Sequence, residues 1–326
     1  MSLAGGNRRH ECRATVGCAM RLNAISIGYA VPRADFDAKV HSVFRSAINL
    51  RLTKNILLTL VTSNEADLPQ GIRVDTPDDF SFEIFQMDEQ VACRDNILRC
   101  ASSVLTIDLR DAESFICALS ALQADMTSQA VASAWRFVWQ TLNQRQIESN
   151  AEIIAQDLFR SDATIKAGVS RKAGEAMRGL FAATQQFDLT AASYLDKLIG
   201  LGTGLTPSGD DLLVGYLAGL WCTVQDKRER MQFVSDLGKA IIHLSGQTND
   251  ISRAYLYHAA QGQVSSRLAD LAKAICRGEN SDCLLTATES AMQVGHTSGM
   301  DAVTGLLIGL VIWEAQTSLP LGFVKY

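Results

Sequence analysis

Between Pro77 and Pro320 the chain contains a single proline, Pro207, and this scarcity restricts the fold more than any other feature of the sequence. Proline interrupts the interior of a helix, so a long stretch without it favours an array of helices. From residue 111 onward, apolar residues also recur at the i, i+3, i+4, i+7 spacing of helices that bury one face. We therefore predict an all-α domain over residues 111–326, in which Pro207 marks a special turn. Its helices are predicted over residues 112–124, 128–144, 150–160, 163–183, 190–199, 209–224, 228–244, 248–261, 265–277, 282–294 and 299–314.

The first third of the chain has a different pattern. Short apolar runs rich in β-branched residues occupy residues 56–62 and 104–109, and turn-forming clusters such as residues 75–79 separate runs of this kind. We predict a β-rich module, a barrel or a sandwich, over residues 15–110, and a disordered or tag-like terminus over residues 1–14. The fold class expected for the whole chain is α+β, with an N-terminal β-rich module followed by a larger all-α domain.

Composition excludes several classes of function. The net charge is −5, and lysine and arginine are scattered, whereas a nucleic-acid-binding surface needs a basic cluster. No run approaches the roughly 20 apolar residues of a membrane span. The eight cysteines include no C-x-x-C pair, which favours a reducing cytoplasm over a disulfide framework. We therefore expect a cytoplasmic protein that binds neither nucleic acid nor membrane.

The most unusual segment begins at Gly200 and reads GLGTGLTPSGDDLLVG. Its glycines, among them Gly204 and Gly209, permit positive φ angles and close approach of a ligand to the backbone. Thr206 and Ser208 add hydroxyl groups just before a predicted helix. Such a turn presents unpaired N–H groups and the positive end of the helix dipole, which together attract anions.

Two common phosphate motifs are excluded at this segment. A P-loop has Lys and then Ser or Thr after its second glycine, but Asp210 and Asp211 follow Gly209. The glycines at positions 200, 202 and 204 do not form G-x-G-x-x-G, and a predicted helix rather than a strand precedes them.

A second segment, GHTSGMDAVTGLLIGL, begins at Gly295 and repeats the first. The repeat predicts two equivalent turn-plus-helix units related by an internal pseudo-twofold. If their N-termini converge, the amides of residues 208–211 and 298–301 would hold one small anion from both sides. With Pro207 omitted, the aligned identities are Gly204/Gly295, Thr206/Thr297, Ser208/Ser298, Gly209/Gly299, Asp211/Asp301, Gly215/Gly305, Leu217/Leu307, Gly219/Gly309 and Leu220/Leu310.

Between the two repeats, Thr248 and Ser252 are four residues apart and share one helix face, so their hydroxyls are also candidates for this pocket. The residues predicted to bind the ligand are Gly204, Thr206, Ser208, Gly209, Thr248, Ser252, Thr297, Ser298 and Gly299.

Four ionisable residues are catalytic candidates, and each has a structural alternative. His296 changes charge near neutral pH and suits proton transfer, although a lone histidine is as often a structural hydrogen-bonding group. Asp210, Asp211 and Asp301 suit the orientation of a substrate amide or the binding of a divalent cation. Acids in the first turn of a helix also offset its dipole without any ligand. No other cofactor is predicted.

The two glycine-rich segments together resemble a bacterial family of unknown function, found in purine and allantoin catabolic loci, that includes AllH, a proposed subunit of oxamate carbamoyltransferase. The resemblance implies carbamoyl transfer between oxamate and phosphate by way of oxalurate and carbamoyl phosphate, with FdrA-like and AllG-like partner subunits. The Ser-Thr-Arg-Thr loop of ordinary carbamoyltransferases is missing, so this chain would supply only part of an active site, or none. The family motif positions fall on Gly202, Gly204, Thr206, Pro207, Ser208, Gly209, Asp210, Asp211, Gly295, Ser298, Gly299 and Asp301.

Two functional hypotheses follow. In the first, the chain is a carbamoyltransferase subunit that binds a small anionic substrate at the paired helix starts. In the second, it is a non-catalytic assembly subunit that docks onto its partners through an apolar helical surface.

Overall fold

The computed structural model describes residues 20–53, 56–101, 105–149, 151–159 and 168–313. It confirms the predicted α+β fold, because a strand-built barrel is followed by a helical domain. The terminus predicted over residues 1–14 lies outside the described residues.

The N-terminal module is a closed barrel of eight strands. Around the barrel the order is β5, β4, β3, β2, β6, β7, β8 and β1, and pairing of β1 with β5 closes the sheet. A ninth strand, β9, extends the sheet by parallel pairing with the C-terminal end of β1. The strands are β1 (Met20–Gly28), β2 (Phe36–Val43), β3 (Ala47–Leu52), β4 (Leu57–Val61), β5 (Gly71–Val74), β6 (Gln90–Arg94), β7 (Ile97–Cys100), β8 (Leu105–Asp108) and β9 (Glu113–Phe115).

Alternate apolar side chains fill the barrel. Ile48 and Leu50 of β3 lie opposite Leu60 and Leu58 of β4, and all four are almost fully buried. Side chains of a strand point alternately to the two faces of a sheet, so this two-residue spacing directs one row inward.

The described helices of the second domain agree with most of the predicted ones to within a few residues. They are α1 (Gln129–Glu148), α2 (Val169–Gln185), α3 (Ala192–Leu198), α4 (Ser208–Thr223), α5 (Arg228–Leu244), α6 (Asp250–Ala259), α7 (Ser266–Arg277), α8 (Ser281–Met292) and α9 (Ser298–Val311).

Two predicted helices are wrong. Residues 112–124 contain β9 and a single 3-10 turn, because residues 113–115 pair with β1 instead of continuing as a helix. The domain boundary predicted at residue 110 therefore falls before the last strand of the sheet. Residues 151–159 form only a short 3-10 turn, whose Ala155 amide donates to the Gln146 side chain of α1 at 2.9 Å.

Helices α4 and α9 form a closely packed parallel pair at the centre of the helical domain. A Cβ atom added at Gly215 would lie 1.8 Å from the carbonyl oxygen of Ala302, and one added at Gly305 would lie 2.0 Å from that of Leu212. Only glycine permits such an approach of two backbones. The two contacts correspond to each other under the sequence repeat, so the pair has an internal pseudo-twofold.

The barrel packs against the helical domain through polar contacts. Arg51 of β3 pairs with Asp250 of α6 at 2.6 Å. The backbone amide of Asp67 donates to the Ser266 hydroxyl at 3.0 Å, and the Ser266 amide donates back to the carbonyl of Asp67 at 2.9 Å. These contacts fix the β4–β5 loop over the start of α7.

Within the residues that the structure describes, no helix combines the length and the hydrophobicity needed to cross a lipid bilayer.

Candidate functional site

The two glycine-rich turns meet at the N-terminal end of the α4–α9 pair. The hydroxyl oxygens of Thr206 and Ser298 lie 2.7 Å apart and form a hydrogen bond between the two repeats. Because α4 and α9 run parallel, the positive ends of both helix dipoles lie side by side at this point.

The repeats contact each other in a crossed manner. Asp211 of α4 lies close to Ser298 of α9, and Asp301 of α9 lies close to Ser208 of α4. The helix pair therefore contains two pseudo-equivalent Ser–Asp pairs, one on each side of the interface.

One of these pairs, Asp211 with Ser298, borders a cavity. Asp211, with Thr206 and Ser298, lines a cavity of about 270 Å³ between the helical domain and the barrel. Tyr255 and His258 of α6 form another part of its wall. The barrel contributes the β3 and β4 strands and the β4–β5 loop, through the residues Ser46, Ala47, Thr59, Val61, Glu65, Ala66, Leu68 and Pro69.

The other pair, Ser208 with Asp301, is covered by Glu152 of the same chain. The Glu152 carboxylate accepts hydrogen bonds from the Thr203 amide at 3.2 Å, from the Thr203 hydroxyl at 2.7 Å and from the Ser208 hydroxyl at 3.4 Å. An internal carboxylate thus occupies the start of α4 on the Asp301 side. This is the position where the dipole of α4 favours negative charge.

Both pseudo-equivalent aspartates are buried and incompletely hydrogen-bonded. Asp211 is 9% exposed and Asp301 is 0% exposed. One carboxyl oxygen of Asp211 and both of Asp301 lack a hydrogen-bond partner among the described residues; Ser208 lies near Asp301 without meeting hydrogen-bond geometry. Unpartnered buried oxygens disfavour the charged form.

The pKa values of the two carboxyls reflect this burial. Desolvation raises the pKa of Asp211 well above its usual range, although Ser298 and Thr206 act in the opposite direction. Desolvation also raises the pKa of Asp301 to about 7. Burial therefore favours the protonated form of Asp211, at the wall of the cavity.

Asp210, the third predicted acid, points away from the other two. Its carboxylate accepts hydrogen bonds from the Gly200 amide at 2.8 Å and from the Thr248 hydroxyl at 2.5 Å, and Ser252 lies nearby. Burial raises the pKa of Asp210, and the Thr248 hydrogen bond opposes this shift. Thr248 and Ser252 thus face Asp210 rather than the cavity, and Asp210 ties the first glycine-rich turn to the start of α6.

The predicted anion site at the backbone amides needs a correction. The amides of residues 209–211 donate to the carbonyl oxygens of Leu201 and Pro207 at 2.7 to 3.2 Å. Those of Gly299 and Asp301 donate within the second turn at 2.9 and 3.0 Å. These N–H groups are consequently engaged, whereas the amides of Ser208, Ser298 and Met300 have no such partner among the described residues. The predicted amide site is thus restricted to these three, beside the hydroxyls and the carboxyl of Asp211.

The glycines that precede the two aspartates serve helix packing. A Cβ atom at Gly209 would lie 2.1 Å from the Leu198 carbonyl oxygen, and one at Gly299 would lie 2.3 Å from that of Ala291. Each glycine lets its helix start against the end of the preceding helix. Gly204 differs, because it has a φ of +93° and nothing within 4 Å of an added Cβ atom.

Two further predicted residues lie apart from the cavity wall. His296 is exposed on the turn before α9, and Thr297, at the N-cap position of α9, is half-buried. Neither lines the cavity. The role of His296 in proton transfer stays a prediction.

Sequence reasoning missed the cavity residues that come from elsewhere in the chain. His258 and Tyr255 are three residues apart on α6 and therefore share a face, but nothing in the sequence indicates which face meets the barrel. Glu65 lies on a barrel loop that reads as a surface turn. Only the packing of one domain on the other makes these residues part of the site.

The structure brings no metal site together. Across the described ranges, no group of three His, Cys, Asp or Glu side chains is arranged to hold a metal ion. The predicted aspartate cluster does not form, because Asp210 faces Thr248 while Asp301 lies on the Glu152 side.

The burial of Asp301 leads to a pH-dependent prediction. Because its pKa rises from 3.8 to about 7 on folding, the folded state keeps a proton that the unfolded state releases. The resulting stabilisation is fully present below about pH 4 and is lost as the pH rises to about 7, a change of up to about 4 kcal/mol. Asp301→Asn removes this titration, so the stability of the variant relative to wild type is expected to increase between pH 4 and pH 7.

Urea unfolding of wild type and Asp301→Asn at several pH values measures this difference. If the free energies of unfolding of the two proteins change with pH in parallel, the raised pKa assigned to Asp301 is contradicted. Asp236→Asn provides a control, since Asp236 is a surface residue whose pKa is lowered, mainly by the hydrogen bond from Gln232.

Comparison with known families matches both parts of this architecture. The family model described as the AllH family N-terminal domain matches residues 19–114, which include the whole barrel. The model described as oxamate carbamoyltransferase subunit AllH matches residues 198–310, which include both repeats and all helices from α4 to α8. No solved structure was found to match the chain. Since the two matches cover most of its length, the chain belongs to the AllH family of oxamate carbamoyltransferase subunits.

Proposed function

We propose that this chain is the subunit of an oxamate carbamoyltransferase that binds the amide-bearing substrate, oxamate or oxalurate, in the cavity beside Asp211. The observation that carries the proposal is the Asp211 carboxyl, which is buried at the meeting point of two helix starts and has an oxygen without a partner. Rotation of the carboxyl group turns this oxygen toward the cavity, where an N–H group of a bound amide supplies the missing hydrogen bond. Binding sites built on such a buried polar group select strongly for ligands that satisfy it.

The size of the cavity supports a small ligand. Its volume of about 270 Å³ lies just below the range of about 300–1,000 Å³ typical of pockets for drug-sized molecules. Hydroxyl groups of Thr206 and Ser298 stand at the converging positive ends of α4 and α9, an environment that favours a carboxylate. The carboxylate of oxamate is thus directed to the hydroxyls and its amide to Asp211.

The charge of the cavity argues against phosphate binding by this chain alone. The described lining includes the acids Glu65 and Asp211 but no lysine or arginine. Enzymes that transfer phosphate-linked groups bind the phosphate with cationic side chains or metal ions. We therefore assign the phosphate, or the phosphate end of carbamoyl phosphate, to a partner subunit.

Asp211 is proposed to act as the general acid. In the degradative direction a phosphate oxygen attacks the carbamoyl carbon of oxalurate, and the bond from that carbon to the oxamate nitrogen breaks. Asp211 transfers its proton to the departing nitrogen, so the products are oxamate and carbamoyl phosphate, and the Asp211 carboxylate is later reprotonated from solvent. Burial that raises the pKa of a carboxyl favours its protonated form and suits this role.

A subunit family implies partner subunits, and we propose FdrA-like and AllG-like proteins as the partners. The proposed context is purine and allantoin catabolism in the cytoplasm. The cysteines of the described residues are free, and four of them are buried, which agrees with a reducing compartment. In the alternative function, a non-catalytic assembly subunit, the cavity has no ligand.

Calorimetric titration of the full chain tests the proposal. Oxamate and oxalurate are expected to bind with 1:1 stoichiometry, and inorganic phosphate at the same concentrations is expected not to bind. Replacing Ser298 by alanine should weaken oxamate binding by about 10- to 100-fold, the cost of one hydrogen bond to a charged group. A chain that binds neither oxamate nor oxalurate, yet still assembles with its partners, would support the assembly function instead.

A further inference from the structure

A second polar group, His258, lines the cavity and is contacted by a residue of the other domain. The Tyr29 hydroxyl, at the end of the barrel strand β1, lies 3.1 Å from Nδ1 of His258 on α6. The two rings meet edge to face, with their centroids 5.7 Å apart. His258 is 6% exposed and lines the cavity.

The two ring nitrogens of His258 have different surroundings. Nδ1 is engaged by Tyr29, whereas no side-chain or backbone group of the described residues forms a hydrogen bond with Nε2. A histidine with a purely structural role in the domain junction needs only the Tyr29 contact. The second nitrogen is thus available on a residue that forms the cavity wall.

The protonation of the pair follows from its burial. Desolvation lowers the pKa of His258 to about 4, so the imidazole is neutral near pH 7. Burial also raises the pKa of Tyr29, which keeps its phenol protonated and able to donate. A phenol that donates to Nδ1 leaves the imidazole proton on Nε2.

We propose that His258 is a substrate-binding residue of this cavity, whose Nε2–H donates a hydrogen bond to a carbonyl or carboxylate oxygen of the ligand, and that Tyr29 is a positioning residue that selects this tautomer. This inference rests on the proposed function and deepens it. The ligand class is a small planar molecule that combines an amide with a second carbonyl group, held between the Asp211 carboxyl and His258. A cavity whose described lining has no cation binds such oxygens through neutral donors.

The Tyr29–His258 pair makes the junction between the two domains part of the site. Tyr29 belongs to the barrel and His258 to the helical domain, so the tautomer that Tyr29 selects depends on correct packing of the two. Besides His258, the ionisable groups that line the cavity are Glu65 of the β4–β5 loop, Asp211 of α4 and Tyr255 of α6.

Nitrogen-15 NMR of the histidine side chains in the full chain, with oxamate as the probe, tests the proposal directly. In wild type the His258 signals are expected to report a neutral ring protonated at Nε2, and saturating oxamate should shift the Nε2 signal. Tyr29→Phe should reduce the preference for this tautomer and weaken oxamate binding by about 3-fold. A His258 ring protonated at Nδ1, or an Nε2 signal that does not move while oxamate binds, would overturn the inference.

Binding affinities of side-chain variants provide a second test. His258→Leu is expected to weaken oxamate binding by about 10-fold or more, because the ligand oxygen loses its donor. His258→Gln retains an amide donor near the position of Nε2 and should recover part of this loss. His243→Gln is the matched control, since His243 is an exposed histidine of α5 that does not line the cavity.

The outcomes separate the two proposals. Absence of oxamate binding to wild type would remove the proposed function and this inference together. Oxamate binding that Ser298→Ala weakens but His258→Leu leaves unchanged would overturn only the assignment of His258.

Discussion

Replacing Gly215 by alanine is expected to lower the thermal unfolding midpoint of the chain by roughly 5 °C. The added Cβ atom would lie 1.8 Å from the Ala302 carbonyl oxygen, and the nearest atoms all belong to the backbone of α9. No side-chain rotation relieves this overlap, so the two central helices must separate. Overpacking of a core typically costs about 1–3 kcal/mol. A backbone contact in the centre of the domain is expected at or above the upper end, which corresponds to roughly 5 °C for a chain of this size.

The repeat supplies an internal replicate of this experiment. Gly305→Ala places its Cβ atom 2.0 Å from the Leu212 carbonyl oxygen and should have a similar effect. Gly246→Ala is the matched control, because nothing lies within 4 Å of an added Cβ atom there. Differential scanning calorimetry of the three variants measures the effects. Equal midpoints for Gly215→Ala and Gly246→Ala would refute the backbone contact between α4 and α9.

The pairing of the two helix starts is the feature that the sequence predicted best. Two segments with the same glycines and aspartates were expected to form equivalent helix starts that converge, and the Thr206–Ser298 hydrogen bond brings them together. The prediction succeeded because small residues four positions apart on each helix allow the other helix to pack closely against it. The repeated spacing therefore contained information about tertiary structure as well as about local structure.

Other parts of the site could not be predicted from local sequence patterns. The sequence repeat is symmetric, but the two Ser–Asp pairs have different surroundings, a cavity next to Asp211 and Glu152 next to Ser208. Which half is open depends on where the segment around Glu152 and the barrel pack. No periodicity or motif of the chain specifies these contacts, and the same is true of His258.

The secondary structure, too, was predicted correctly in some segments and wrongly in others. Strongly periodic segments such as α5 were predicted with correct boundaries, whereas residues 113–115 were assigned to a helix although they pair with β1. Pairing with a distant strand overrides local periodicity. The β6–β7 hairpin was also missed, although its two-residue turn, Asp95 and Asn96, has the positive φ angles that these residue types tolerate best.

Replacing Asp211 by asparagine is expected to lower kcat for carbamoyl transfer by about 10²- to 10⁴-fold, the usual contribution of a positioned general acid. Asparagine has the same shape and keeps a hydrogen-bonding group, but it has no proton to give to the departing nitrogen. Since burial holds the Asp211 carboxyl in its neutral form, the neutral amide should cost little stability. Oxamate binding is expected to change by less than about 3-fold, so the effect should lie in kcat and not in affinity.

The assay measures carbamoyl phosphate formed from oxalurate and phosphate by the chain reconstituted with its proposed partner subunits. Wild-type kcat should fall as the pH rises through the raised pKa of Asp211, because the acid must be protonated, and Asp211→Asn should lack this descending limb. Asp236→Asn, on the exposed face of α5, should retain wild-type kcat. If Asp211→Asn instead keeps its kcat and loses affinity, then Asp211 orients the substrate amide and the proton comes from a group on the partner subunit. That result would exclude Asp211 as the general acid but would leave the binding function of the cavity intact.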